Sequence, residues 1–409
     1  MNIKSSKVSL KEKAAERSTE VQALEGVKVL DLTRLLPGSF TSLMLADYGA
    51  EVIMVEHPAG EPGRHIGPFI KGLSARHLLL NRNKKSITLD LKKARGRELL
   101  IELAKKADVL IENFRPGYMD GLGLGYSRLK EINPTLIYCS LTGYGQTGPD
   151  RDKPGHDINY ISNTGILGLT STSGESLPLP GVQIADLGGG SLMAVMGILV
   201  ALAARVNTNR GQYVDVSMTD GITSWLPLVF NEYMVSGKVP KPGEHTYTGS
   251  LACYNSYRTK DKKYLTLGAL EPKFWGAFCI WIGLEEFIPL QKNPSHQSRM
   301  IACLQERFST RTLAEWMTAA ADWELCLTPV RTLDEAFLDP RVIAREMIFE
   351  VDHPVSGKIK QLGFPVKLSL TPAKYKKGAP LLGEHNGEVF GSIGLDPDHL
   401  ETLRAEGVI

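Results

Sequence analysis

The sequence has few of the residues that define metal, redox or disulfide-bonded proteins. Only 5 of its 409 residues are cysteine, and no two of them form a C-x-x-C pair. This spacing provides no zinc or iron–sulfur motif. Because the cysteines are odd in number and lie mostly in apolar segments, they indicate reduced thiols in a cytoplasmic protein.

The sequence also lacks a charge excess and a long apolar run. It has 47 Lys and Arg against 45 Asp and Glu, so neither nucleic acid nor a membrane is an expected partner. The longest apolar run, Leu192–Ala204, is shorter than the roughly 20 residues of a membrane span and predicts a buried core helix. Residues 1–24, which contain no apolar signal-peptide segment, are predicted to be a loosely docked tail.

Apolar, β-branched segments alternate with helical ones through the first half of the chain. This alternation predicts an α/β fold with a doubly wound parallel sheet. In such sheets ligands bind beyond the carboxyl ends of the strands. The predicted strands are Val27–Thr33, Glu51–Glu56, Ser86–Leu91, Asp108–Phe114, Leu136–Thr142 and Tyr213–Ser217. A helix is predicted over Asp220–Tyr233, after the last of these strands.

The composition changes near the middle of the chain. Ser236–Gly249 is rich in Gly, Pro, Lys and His, which is typical of a domain boundary. The segments Cys253–Thr259 and Lys263–Leu267 then form a hairpin pattern, and helical segments follow at Pro272–Leu284 and Gln297–Ala321. We therefore predict a large domain over 25–235 and a small α+β domain over 245–325.

A histidine and two acids stand where loops meet predicted helices. His156 and Asp157 follow the turn-rich loop Gly143–Pro149, and Asp186 precedes three glycines and a long apolar helix. The free N–H groups and the dipole of a helix start favour anions at such places. One interpretation is an acid/base pair of His156 with Asp186. The other is ordinary surface or capping chemistry.

Basic residues cluster at two places near the predicted strands. Arg82, Asn83, Lys84 and Lys85 lie at the third strand, and Arg115 follows the fourth. Such groups suit a phosphate-bearing ligand, although a solvated basic turn is the simpler interpretation. The sequence has no P-loop, and no G-x-G-x-x-G follows the first strand, which argues against a nucleoside triphosphate or NAD.

Nine segments form a set that resembles a single superfamily over about residues 25 to 390. The segments are LEGVKVLDLTRLLPG, LADYGAEVIMVE, NRNKKSITLDLK, ADVLIENFRPG, LTGYGQTGPDRDKPGHDINYI, ADLGGGS, GQYVDVSMTDG, LGALEPKFW and APLLGEHNGEV. They resemble the family III CoA-transferases and, within that superfamily, the alpha-methylacyl-CoA racemases.

The resemblance implies an architecture that spacing alone does not show. Both chain ends would form the large domain, with residues 335–409 returning to it. Two chains would interlock as a homodimer, with each active site between the large domain of one and the small domain of the other. CoA would bind the large domain as part of the substrate, so no separate cofactor is expected. The residues implied in CoA binding are Arg82, Asn83, Lys84, Lys85, Arg115, Gly155, Asn159 and Tyr160.

The racemase branch implies inversion of 2-substituted acyl-CoA thioesters through an enolate, within fatty-acid metabolism. His156 and Asp186 would serve opposite faces of the α-carbon, and Glu271 would orient the histidine. For the pair to share one proton, the pKa of Asp186 would be raised or that of His156 lowered by its surroundings. The alternative is a CoA-transferase with Asp157 as its nucleophile. His156, where transferases usually have an aromatic residue, and the absence of a glycine run in Gly243–Gly249 favour the racemase.

Overall fold

The computed structural model describes residues 21–170 and 177–409, and most of the predicted tail lies outside this part of the chain. The described chain divides into two compact units. The larger unit contains residues 21–160, 182–223 and 343–409, and the smaller unit contains the described residues between these segments. The smaller unit therefore extends beyond the predicted small domain at both of its ends.

Strands are numbered in chain order. They are β1 (Lys28–Asp31), β2 (Glu51–Glu56), β3 (Phe69–Ile70), β4 (Leu73–Ser74), β5 (Lys85–Thr88), β6 (Val109–Glu112), β7 (Ile137–Thr142), β8 (Tyr213–Ser217), β9 (Tyr254–Arg258), β10 (Tyr264–Gly268), β11 (Leu327–Pro329), β12 (Ile348–His353) and β13 (Gly357–Leu362).

Helices are numbered in the same way. They are α1 (Leu35–Asp47), α2 (Ala75–Leu80), α3 (Ala94–Ala104), α4 (Tyr118–Gly121), α5 (Tyr126–Ile132), α6 (Asp157–Asn163), α7 (Ile166–Thr170), α8 (Met193–Thr208), α9 (Met218–Thr223), α10 (Pro227–Ser236), α11 (Pro272–Ile282), α12 (Gln297–Phe308), α13 (Leu313–Ala319), α14 (Leu333–Phe337), α15 (Pro340–Ala344), α16 (Asn386–Gly391) and α17 (Pro397–Ala405). Short 3₁₀ turns and a π-helical turn lie between them.

Six parallel strands form the central sheet of the larger unit, in the order β5-β2-β1-β6-β7-β8. The predicted α/β fold with a parallel sheet is confirmed. Strands β6 and β7 are buried along their whole length, because helices cover both faces of such a sheet. The main core of this unit combines Leu30, Leu100 and Leu110 with Phe390 from the C-terminal segment.

A three-stranded antiparallel sheet, in the order β11-β10-β9, packs with α11, α12 and α13 in the smaller unit. Strands β9 and β10 correspond to the predicted hairpin. The indole nitrogen of Trp275 donates to the carbonyl of Phe287 at 3.0 Å, and that of Trp316 donates to Phe308 at 2.9 Å. Both buried tryptophans are therefore satisfied as hydrogen-bond donors.

Two helices predicted as continuous are each broken in the structure. The segment predicted as Asp220–Tyr233 forms α9 and α10, because Pro227 has no N–H for a helix interior and instead begins a new helix. The segment predicted as Gln297–Ala321 forms α12 and α13. Thr312 and Glu315 build a capping box that starts the second of these helices.

The long apolar run belongs to a longer helix than predicted. The turn Ile184–Leu192 is π-helical and continues directly into α8. By length and composition the combined helix, Ile184–Thr208, is long enough and apolar enough to cross a membrane. Within the larger unit, however, α8 packs against β7 and β8. Its buried residues are Ala194, Ile198 and Ala201.

Arg82 joins the C-terminal segment of the larger unit to the sheet region. It forms a bidentate ion pair with Asp47, with N–O distances of 3.0 and 2.7 Å, and donates to Gln361 at 2.9 Å. The guanidinium also lies against the rings of Phe349 and Phe364. Arg82 therefore has a complete set of partners inside the protein.

The neighbouring Asn83 extends this junction. Its side-chain amide donates to Asp47 at 2.9 Å and to the carbonyl of Lys374 at 2.8 Å, and its side-chain oxygen accepts from the N–H groups of Lys376 and Lys377. The backbone φ of Asn83 is +64°, in the left-handed region that asparagine tolerates better than most residues. Asn83 is therefore a structural residue of this junction.

Lys84 is a buried cation beneath α1. Its ammonium donates to the carbonyl of Ser39, the hydroxyl of Ser42 and the side-chain oxygen of Asn81 at 2.7–2.9 Å, and lies 3.6 Å from Asp31. The side chain is 0% exposed. Burial lowers the pKa of Lys84 to about 8, and the carboxylate of Asp31 opposes this shift. Lys84 therefore remains mostly protonated at neutral pH.

The C-terminal segment also covers the open edge of β5. The backbone carbonyl of Ser86 accepts from the N–H of His385 at 2.9 Å, and the N–H of Ser86 donates to the His385 ring at 3.2 Å. The N–H of Thr88 donates to the side-chain oxygen of Asn386 at 2.9 Å. These contacts satisfy edge groups that would otherwise accept another strand.

We expect Lys84→Met to destabilise the protein by about 3–5 kcal/mol, because it leaves Asp31 buried without its cation. Lys85→Met is the matched control. Lys85 pairs with Glu51 and Glu388 near the surface, and we expect its loss to cost at most about 1 kcal/mol. Urea denaturation followed by far-UV circular dichroism measures both. Equal losses for the two variants would contradict the structural role of Lys84.

Candidate active site

The loop after β7 is fixed by the ring of Tyr160. A Cβ atom on Gly143 would lie 2.3 Å from that ring, and one on Gly155 would lie 2.7 Å from it. The Tyr160 hydroxyl donates to the carbonyl of Gly155 at 2.6 Å, and Tyr144 packs edge-on against the ring. Both glycines are required because the ring leaves no room for a side chain. Gly155 and Tyr160 thus shape the loop, and their predicted contact with CoA stays a prediction.

His156 directly precedes α6, whose first residue is Asp157. Its N–H donates to the side-chain oxygen of Asn159 at 3.0 Å, and its carbonyl accepts from the Asn159 N–H at 2.8 Å. Asn159 therefore fixes the backbone of His156. The side chain of His156 is exposed, so its ring is accessible to a ligand.

Asp157 connects the start of α6 to the turn that carries Asp186. One carboxylate oxygen of Asp157 accepts from the N–H of Ala185 at 2.6 Å and from the N–H of Asp186 at 3.0 Å. These two donors are orphan N–H groups at the start of a helix, where a carboxylate is favoured. Asp157 thereby holds the backbone of Asp186 beside His156.

The π-helical turn after Asp186 is shaped by glycine. A Cβ atom on Gly189 would lie 2.4 Å from the carbonyl of Met218, and one on Gly221 would lie 2.1 Å from the carbonyl of Gly189. The turn and α9 therefore approach each other closely. Ser191 donates to the carbonyl of Asp186 at 2.9 Å. Single π-helical turns are frequent at functional sites, and this one widens the helix where Asp186 lies.

Asp186 is a half-buried acid with a perturbed pKa. Burial, and to a smaller extent the charge of Asp157, raise the pKa of Asp186 to about 6 against the opposing charges of His156 and Arg76. Among the described residues, none donates a hydrogen bond to the Asp186 carboxylate. The direction of the shift is the one that proton sharing with a histidine requires.

The predicted basic cluster does not form a free phosphate site. Arg82 and Lys84 are buried, and their donors are occupied within the protein. Asn83 bonds the C-terminal segment, and Lys85 pairs with two glutamates. The sequence pattern did not reveal this because most of these partners lie far along the chain. Of the predicted CoA contacts with a positive charge, only Arg115 is both exposed and free of an ion pair among the described residues.

A second exposed arginine lies close to Arg115 and was missed by the sequence analysis. Arg34 follows β1, Arg115 follows β6, and these strands are neighbours in the sheet. The backbone of Arg34 exchanges two hydrogen bonds of 2.8 Å with the side chain of Asn113. The guanidinium of Arg34 lies 4.7 Å from the ring centroid of Phe114. Arg34 could have been selected from the sequence, because it is a basic residue directly after a predicted strand.

A cavity of about 200 Å³ lies beside Arg115, at the carboxyl ends of β6 and β7. Burial raises the pKa of Glu112 in its wall to about 7, against hydrogen bonds from Ser140 and the Phe114 N–H. The side-chain nitrogen of Gln146 is buried there without a hydrogen-bond partner.

Nowhere in the described residues do three His, Cys, Asp or Glu side chains group as a metal site.

Glu271 belongs to the smaller unit. It is the capping residue of α11, and its side chain is exposed and makes no capping hydrogen bond. Glu271 therefore lies at the start of a helix. The proposed contact between Glu271 and His156, which lies in the larger unit, stays a prediction.

A histidine and an acid on segments joined by the Asp157 hydrogen bonds, beyond the carboxyl end of a parallel strand, are typical of an α/β enzyme of acid–base or acyl chemistry. Residues 24–386 match the profile of CoA-transferase family III. The chain belongs to that family. The crystal structure of a CAIB/BAIF family protein from Brucella suis is similar, with a TM-score of 0.79 and 32% identity over 91% of this chain and 99% of that one.

Relatives of two reaction types are about equally similar to the chain. Succinyl-CoA:glutarate CoA-transferase of Mus musculus is 34% identical over 95% of this chain and 91% of its own length. Alpha-methylacyl-CoA racemase of Mus musculus is 35% identical over 94% of this chain and 97% of its own length. The protein is therefore an enzyme of the superfamily that includes both, and identity alone does not choose between the two reactions.

We expect Asp186→Asn to stabilise the protein above pH 6. The folded pKa of Asp186, about 6, is raised above its ordinary value of 3.8, so ionisation disfavours the folded state as the pH rises through this window. Asparagine avoids that loss. The difference in melting temperature between variant and wild type should grow from pH 4 to pH 6 and vanish below pH 4. A difference that does not change with pH would contradict the raised pKa.

Proposed function

We propose that the protein is a racemase or epimerase of 2-substituted acyl-CoA thioesters. The observation that carries this proposal is the arrangement of its three polar residues. Asp157 uses one carboxylate oxygen on backbone N–H groups, which leaves His156 and the unpaired Asp186 as two proton carriers. A place in cytoplasmic fatty-acid metabolism belongs to the same proposal.

Inversion needs one group that removes the α-proton and another that returns a proton to the opposite face. His156 and Asp186 would take these roles, and the pair would hold one proton between them. Proton sharing is efficient when the two affinities are close. The pKa of about 6 for Asp186 lies in the range in which imidazoles ordinarily titrate, which supports this assignment.

The intermediate enolate requires a donor for its developing negative charge. The N–H of Asp157, in the first turn of α6, has no acceptor among the described residues and is a suitable donor for the thioester oxygen. Glu271 would orient the imidazole of His156 through its other ring nitrogen. These two roles complete the proposed mechanism without a metal or a separate cofactor.

We also propose a homodimer, in which the interlocked arrangement implied by the sequence would cover two apolar surfaces. Helix α10 has no buried residue within the chain, although Phe230 and Met234 are 57% and 65% exposed. The outward face of the helix Ile184–Thr208 exposes Met196 and Val200 by 55% and 61%. Surfaces of this kind mark protein interfaces more often than free solvent contacts.

The alternative reaction is transfer of CoA between two carboxylic acids. For this reaction we place the nucleophile at Asp186 rather than at Asp157. The Asp157 carboxylate is stabilised by two backbone N–H groups, which lowers its nucleophilicity. Asp186 has no such donors and a raised pKa, so its carboxylate is the more reactive of the two. His156 would then have no proton to transfer at the α-carbon.

We expect the wild-type protein to incorporate deuterium at the α-carbon of 2-methylacyl-CoA in D₂O without an acceptor acid. His156→Ala should slow this exchange by about 10²–10⁴-fold. Asp186→Asn should abolish inversion while leaving slow exchange on the face served by His156. NMR and chiral analysis of the released acid measure both events, and His399→Ala, in α17, is the control histidine variant.

The transferase alternative predicts a different set of results. Turnover would depend strictly on a free carboxylic acid acceptor, and no deuterium would enter the substrate. Hydroxylamine added after acyl-CoA would convert Asp186 to a hydroxamate, which peptide mass spectrometry detects. That modification in the wild-type protein, together with the absence of α-exchange, would overturn the racemase proposal.

Arg34 and Arg115 are the residues we propose to bind the phosphates of CoA. Both are exposed, and their loops are tied together by Asn113 at the carboxyl edge of the sheet. Arg34→Ala and Arg115→Ala should each raise KM about 5- to 50-fold and change kcat little, because phosphate contacts are the same in the ground and transition states.

Arg95→Ala provides the matched control for this measurement. Arg95 is an exposed arginine on α3 that pairs with Glu98, so we expect its KM to equal that of the wild type. Steady-state kinetics on one acyl-CoA compares the three variants. A loss confined to kcat in both Arg34 and Arg115 variants would place the phosphates elsewhere.

A further inference from the structure

The partly or fully buried arginines of the larger unit differ in their partners. Arg64, Arg82 and Arg205 form ion pairs with carboxylates, and Arg97 donates to two backbone carbonyls. Arg76 is half-buried as well. Within the described residues, however, no group accepts a hydrogen bond from its guanidinium. This one side chain carries a partly desolvated charge without a partner.

Arg76 lies on a helix that is held firmly in place. Ser74 caps α2 by accepting from the N–H of His77, and the buried His77 ring bonds the carbonyl of Pro380 at 2.9 Å. The turn that carries Asp186 and helix α2 both pack against α1. The positive charge of Arg76 acts on the Asp186 carboxyl, whose pKa is raised by burial and Asp157 and lowered by His156 and Arg76.

A guanidinium in this position is suited to an anionic ligand. It presents five donors in a planar fork that matches a carboxylate, and partial burial strengthens the interaction relative to bulk water. Asp186 does not use these donors, since no hydrogen bond joins the two side chains in the structure. The donors of Arg76 are therefore available to a group that lies near the reacting end of the substrate.

We propose that Arg76 binds a second carboxylate on the acyl chain, so that the substrates are monothioesters of 2-substituted dicarboxylic acids. This inference rests on the proposed function, because it assumes that Asp186 acts at the α-carbon of an acyl-CoA. A CoA phosphate offers similar chemistry. The acyl chain is the better source, because Arg34 and Arg115 present separate exposed charges from the loops after β1 and β6.

The test compares two thioesters of similar length, 2-methylglutaryl-CoA with a terminal carboxylate and 2-methylhexanoyl-CoA without one. Deuterium exchange and acceptor-dependent transfer are both measured, so that either reaction reports kcat/KM.

The wild-type protein should prefer the dicarboxylic thioester. Arg76→Gln should lower kcat/KM for that substrate about 10- to 100-fold, as expected for a charged hydrogen bond, and should change the neutral substrate less than 3-fold. Arg76→Lys, which keeps the charge, should recover part of the loss.

Equal losses on both thioesters would overturn the proposal, because they would indicate a CoA contact or a role in positioning Asp186. No loss on either substrate would overturn it as well. Calorimetric binding of the two thioesters to wild type and Arg76→Gln keeps the test independent of turnover. If neither reaction is observed but Arg76→Gln loses affinity only for the dicarboxylic thioester, the proposed function fails, and only the binding of a carboxylate by Arg76 stands.

Discussion

The site depends on the two hydrogen bonds that the Asp157 carboxylate accepts from the backbone of Ala185 and Asp186. They join the loop after β7 to the turn before α8, two segments that would otherwise have independent positions. As a result, His156 and Asp186 lie on two segments whose backbones are joined to each other. The same carboxylate also affects the chemistry, because its negative charge adds to burial in raising the pKa of Asp186.

Close backbone packing holds the π-helical turn that contains Asp186 in place. Gly189 and Gly221 allow the π-helical turn and α9 to approach to a distance that no side chain would permit. On the opposite side, Ser191 bonds the carbonyls of Pro37 and Asp186 and so links the turn to α1. Residues with small or no side chains thus hold the acid in place, while the larger polar residues remain available to the ligand.

Much of the fold could be predicted from the sequence because its physical signals are local. The predicted bounds of β2 and β8 match the structure, since short runs rich in β-branched residues and bounded by turn residues favour strands. His156 and Asp186 could be paired because each stands at a helix start beside glycines. The break between α12 and α13 was missed although Thr312 and Glu315 have capping-box spacing, because the apolar pattern continues through it.

The roles of the basic residues could not be predicted in the same way. Arg82 and Lys84 look like surface charges in the sequence, and their burial depends on partners such as Gln361 that lie far along the chain. Arg76 was missed for the opposite reason. Its significance lies in the absence of a partner, and that is visible only when all of its neighbours in space are known.

The covering of β5 by the C-terminal segment has a consequence for biosynthesis. Ser86 and His385 are 299 residues apart in the chain, so the strand leaves the ribosome long before the segment that satisfies its outer edge. At about 5–20 residues per second, the edge remains uncovered for roughly 15–60 s. During this time a nascent chain presents a strand edge that another nascent chain can join. The charged side chain of Lys85 on the same strand disfavours such pairing until His385 and Asn386 arrive.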